Sequence, residues 1–153
     1  MAKIRDAYKE LGIKFDLVPF EGLNSEFEIE CIDDKAFLLR EIRRKISDKA
    51  DYYAKMLEQI LQPDAAYSSA HECRGLETND KQTIFQLYST LMRIHRSAIE
   101  VEVIAEDRAD AEFINDSYKT WMALKKPLAV ILKAIRESWQ QHQQDEEKVG
   151  YFG

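Results

Sequence analysis

From Asp33 onward, apolar residues return at steps of three and four, the period of helices that bury one face. Leu38, Leu39, Ile42, Ile46, Ala50, Tyr53, Met56, Leu57, Ile60 and Leu61 share one broad face, which predicts a first long helix. Asp33 or Asp34 can cap its start, and Pro63 ends it because proline has no N–H to give. Residues 63–77 show little periodicity and read as a loop. Thr78-Asn79-Asp80 then supplies caps for a second helix. Between 81 and 126 there is neither Gly nor Pro. A single helix of that length would span roughly 69 Å, far beyond a compact domain. A break is therefore expected near Asp107 to Asp110, where short acidic residues cluster. Ile84, Leu87, Tyr88, Leu91, Ala98, Ile99, Ala105 and Ala109 form the stripe before it; Phe113, Ile114, Tyr118, Trp121 and Leu124 carry it on. Pro127 suits the first turn of a further helix, with Leu128, Ile131, Leu132, Ile135 and Trp139 on one face.

The first 32 residues look different. Ile4, Ala7, Tyr8 and Leu11 make a short helical face that stops at Gly12. Ile13-Lys14-Phe15-Asp16-Leu17 and Phe27-Glu28-Ile29-Glu30-Cys31 then alternate apolar and polar, the period of strands. The turn formers Pro19, Gly22, Asn24 and Ser25 lie between them, which predicts a β-hairpin with an acidic outer face. The fold class expected is all-α: a bundle of three or four long helices with a short N-terminal helix and a β-hairpin. Residues 1–32 form the arm, 33–146 the helical bundle and 147–153 a frayed tail.

Composition narrows the function. With 153 residues, 45% of them apolar and 33% charged, the chain is globular and long enough for one core. Twenty-two Lys and Arg against 28 Asp and Glu leave a net charge of −6, which argues against a general phosphate-binding surface. Two cysteines make no disulfide framework, and no Cys-x-x-Cys is present. The N-terminus lacks the apolar core of a signal peptide. The run Leu128-Ala129-Val130-Ile131-Leu132 is too short for a bilayer, which needs roughly 20 residues. A cytoplasmic protein without a membrane partner is expected. Gly-rich phosphate loops and Gly-x-Ser-x-Gly are missing, and no cofactor or metal is expected.

Three clusters carry candidate chemistry. At 100° per residue, His95, Glu102 and Glu106 fall near the middle of the apolar stripe, and buried carboxylates must be paired, protonated or metal-bound. Against a metal site, the Glu-x-x-His of di-iron bundles is missing. His95 also lies about 10 and 16 Å along the axis from the two carboxylates. The three are read as a polar binding site on an apolar face. His71-Glu72-Cys73 sits on the expected loop and reads as ordinary polar surface. Arg40, Arg43, Arg44, Lys45 and Lys49 form a basic segment that nucleic acid could use, although Glu41, Asp48 and Asp51 interleave with it. Arg136 and His142 match only a spacing so loose that polar helices meet it by accident.

The function expected is a non-enzymatic protein–protein interaction module: an adaptor, inhibitor or small accessory subunit binding another protein. Its wide apolar stripes and unpaired hairpin edges suit a homodimer or higher oligomer. The alternatives are a small nucleic-acid-binding subunit of a nucleoprotein complex and, third, a metal-dependent helical enzyme.

Overall fold

The computed structural model describes the backbone of residues 2–62 and 67–152 and the side chains of residues 3–62 and 70–140. Among these the chain is predominantly helical, with no strand. The helices are α1 (Ala2–Phe15), α2 (Phe20–Phe27), α3 (Leu38–Leu61), α4 (Tyr67–Arg74), α5 (Thr78–Ile104) and α6 (Asp107–Phe152). Short 3₁₀ turns at Ile29–Cys31 and Lys35–Phe37 link α2 to α3. None of the described helices is long and apolar enough to cross a membrane. Pro63, the expected helix stop, lies outside the described residues.

The expected β-hairpin is a helical segment instead, and each turn former has another task. Ile13 and Phe15 finish α1, with Ile13 89% exposed, so the alternation there marks a helix end rather than a buried strand face. Pro19 precedes α2, where its missing N–H leaves no bond unmade. Gly22 lies inside α2 because the Tyr118 hydroxyl occupies the place a Cβ would need. Asn24 closes the helix twice. Its carbonyl accepts from the Glu28 N–H at 2.8 Å, and its side-chain oxygen accepts from the Glu30 N–H at 2.9 Å. Ile29 and Ile32 are then buried three residues apart, the spacing of the 3₁₀ turn they flank.

The chain divides into two compact units. The first comprises residues 1–53 and 90–123. Leu23, Ile29, Leu38, Ile42, Ile46, Leu91 and Ile114 are its most deeply buried side chains. Asn115 on α6 clamps the link between α1 and α2, donating to the Asp16 carbonyl at 3.0 Å and accepting from the Val18 N–H at 2.9 Å. Trp121 holds α2 and α3 to α6. Its indole N–H donates to Glu26 Oε2 at 2.8 Å, and its ring lies 6.0 Å from Phe27 and 5.8 Å from Tyr53.

The second unit comprises residues 54–89 and 124–153. Its core contains Leu57, Ile60, Ile84, Leu87, Leu128 and Ile131. Residues 67–74, expected as loop, form α4. His71 holds it in place: Nε2–H donates to the Ser138 carbonyl at 2.9 Å, and the ring stacks 4.5 Å from Trp139. Pro127 does not open a new helix but sits inside α6 on an exposed face, where the lost N–H bond is replaced by solvation. The helix continues to Phe152, through residues expected to fray.

The break in 81–126 is real and falls slightly ahead of the expected place. α5 ends at Ile104 and α6 begins at Asp107, with Ala105 between them at φ 56°. Its N–H donates to the Val101 carbonyl at 3.0 Å, closing α5 with a left-handed residue. A β-carbon is strained in that conformation by about 1 kcal/mol. Ala105→Gly is therefore expected to stabilise the protein by about 0.5–1 kcal/mol, read as a rise in the thermal midpoint. An unchanged or lower midpoint would show that the corner is not strained.

Candidate functional site

The buried stripe of α5 is Ile84, Leu87, Leu91, Ile94, Ala98 and Val101, at strictly alternating steps of three and four. The expected stripe shares Ile84, Leu87, Leu91 and Ala98 with it but takes in Tyr88 and Ile99 on one flank instead of Ile94 and Val101 on the other, which turns the face by about 40°. That shift moves His95 and Glu102 off the middle of the buried face, and Glu106 lies past the end of α5, in the corner before α6. Glu102 and Glu106 are both exposed. Glu102 Oε1 lies 4.0 Å from Arg44 Nη2. Among the described residues, no group of three His, Cys, Asp or Glu side chains gathers to hold a metal ion. Glu102→Gln should change the unfolding free energy by less than about 0.5 kcal/mol, as for a solvent-exposed ion pair. A loss above about 2 kcal/mol in urea denaturation would restore a buried role.

His95 instead meets two residues that the sequence did not single out. Its Nδ1 is 2.9 Å from Ser47 Oγ, and its Nε2 is 3.9 Å from Asp51 Oδ1. Ser47 and Asp51 stand one turn apart on α3, a spacing legible in the sequence once α3 and α5 are known to pack. The residue types are those of a hydrolytic triad, but the setting is not. Ser47 is buried in mid-helix, where neighbouring backbone N–H groups are spent on the helix and leave no oxyanion donors. The trio fastens α3 to α5.

The basic segment is largely turned to internal partners. Arg43 is buried and bonds Asp110 Oδ1 through Nη1 at 2.9 Å. Lys49 donates to the Glu26 carbonyl and sits 4.8 Å from the Trp121 ring centre. Arg44 pairs with Glu41 at 2.8 Å, and Arg40 stacks 4.4 Å over Phe37. Lys45 is half-buried. The three arginines, with Lys35, line a cleft of about 460 Å³ that Glu10, Glu102, Asp107 and Asp110 also line. Burial raises the Asp110 pKa from its ordinary value, more than the Arg43 and Arg40 guanidiniums lower it. Equal numbers of fixed cations and carboxylates leave this cleft without a net attraction for phosphate. The side chain of His142 lies outside the described residues.

A second cavity of about 460 Å³ has a different character. It runs between the last turns of α5 and the first turns of α6 in the first unit. Ile94, Val101, Phe113 and Ser117 form a buried floor. The Ser117 hydroxyl is already spent, donating to its own helix at the Phe113 carbonyl, 2.6 Å away. Among the described residues, every buried side-chain N or O has a hydrogen-bond partner. The groove thus offers shape and charge rather than a poised reactive group. Along its rims stand Arg93 and Glu100 on α5 and Glu112 and Asp116 on α6, all exposed. The signal for it was present in the sequence as Thr90, Ile94, Ser97, Val101 and Ile104, a second four-three seam beside the buried stripe. The chain matches no protein-family model, no curated protein and no solved structure.

Proposed function

We propose that this chain is a non-enzymatic helical protein–protein interaction module, an adaptor, inhibitor or small accessory subunit, whose docking face is the open side of the α5–α6 hairpin. The observation that carries this reading is the apolar floor of the groove and its continuation into the uncovered side chain of Ile104 on α5. Ile104, at the end of α5, lines the groove and is 47% exposed. A contiguous apolar face with a charged rim is the usual form of a protein-binding surface. Helix-in-groove docking also needs the knobs-into-holes spacing found along this part of α5.

Ser97→Trp fills the centre of the groove from a half-buried position, and circular dichroism checks that the helices persist. Tagged wild-type and S97W chains are isolated from the native host, and the proteins bound to each are compared. A partner retained by wild type and lost from S97W is the expected result. An identical partner set, or no partner on either chain, would overturn the docking face.

A further inference from the structure

We infer that the groove between α5 and α6 takes an amphipathic helix with basic flanks, supplied by another protein rather than by a second copy of this chain. The inference rests on the docking face proposed above and names its occupant. Small side chains lie at mid-groove, Ser97 on α5 and Ser117 on α6, so a third helix can approach both. The seam on α5 then provides holes at the spacing that a and d residues of an incoming helix fill.

The rims decide the chemistry of that helix. Glu100, Glu112 and Asp116 place three carboxylates around the groove against one guanidinium, Arg93. Arg93 also leans along its own helix, donating to Thr90 Oγ1 at 3.3 Å. Lysines or arginines flanking the apolar seam of the incoming helix would meet these carboxylates at the partly solvated edge, where complementary charge governs specificity and association rate. A second copy docked here by two-fold symmetry would bring the same anionic rims together. Like charges facing across an interface oppose association. Nucleic acid would face the same repulsion.

The test uses the full chain and two synthetic helical peptides of about four heptads, both with Leu and Ile at a and d. One carries Lys at e and g, the other Glu. Fluorescence anisotropy at low salt should show the Lys peptide binding at least about tenfold more tightly, with the difference shrinking as salt screens the rim. The E112K/D116K double variant changes only exposed side chains and should reverse the preference between peptides. Equal affinity for both peptides, or an unchanged preference in the double variant, would overturn the inference. So would a dimer, seen by sedimentation, that the Lys peptide fails to dissociate. If neither peptide binds while S97W still loses a host partner, the basic-helix inference falls and the docking face stands.

Discussion

Arg43→Met is expected to destabilise the protein by about 3 kcal/mol at neutral pH, because it strips a buried carboxylate of its counter-charge. Arg43 is 4% exposed and Asp110 6%, so the carboxylate is poorly solvated once the guanidinium is lost. The cost should depend on pH in a defined direction. Burial already holds the folded-state pKa of Asp110 above its unfolded value, despite Arg43 and Arg40. A group raised in this way contributes stability below its unfolded pKa, and that contribution is lost as pH rises through the folded pKa. Removing Arg43 raises the folded pKa further. The deficit of R43M relative to wild type should therefore be widest at neutral pH and narrow on acidification, as Asp110 takes up a proton. The R43M/D110L double variant should recover most of the loss, since an apolar pair can replace a buried ion pair. Thermal melts of the three proteins from neutral to acid pH test this. A deficit that does not change with pH would show that Asp110 is not the group left unpaired.

The second large effect is expected at Trp121. Trp121→Ala removes the ring that α2, α3 and α6 share and leaves Glu26 Oε2 without its indole donor. The expected cost is about 3–5 kcal/mol. Trp121→Phe keeps most of the packing and should lose only about 1–2 kcal/mol, the value of the hydrogen bond and the smaller ring. Urea denaturation followed by circular dichroism separates the two. Equal losses for W121A and W121F would assign the effect to the hydrogen bond rather than to the packing.

The helical part of the fold is written in the chain at the scale where periodicity is unambiguous. α3 and α5 repeat their apolar steps over 24 and 27 residues, long enough to fix both element type and buried face. Five-residue windows do not have that power. Residues 13–17 and 27–31 alternate as a strand would, yet the first is a helix end with its link and the second a 3₁₀ turn. What decides between these outcomes is tertiary: Asn115 clamps the first segment, while Tyr118 packs over Gly22 and admits the helix before the second. The corner at Ala105 was foreseen within a few residues because a compact domain needs it. Its position was not, since no glycine marks the left-handed site.

The site was legible only in part. His95, expected near the middle of the stripe, does pack on another helix, where its partners are Ser47 and Asp51 of α3. Glu102 was drawn inward by an error of about 40° in the α5 face, and Glu106 by carrying the helix past its end at Ile104. The groove needs two facts at once: the seam on α5, and the antiparallel return of α6 that leaves one side of it open. Only the first can be read along the chain.

The most direct test of the account is photo-crosslinking in the native host, with a benzophenone side chain placed in turn at Ser97 in the groove and at Lys133 on the exposed side of α6. Docking in the α5–α6 groove predicts one discrete protein adduct from position 97 and none from position 133, with the adduct abolished by the E112K/D116K changes. The same adducts from both positions, or adducts from position 133 alone, would contradict it.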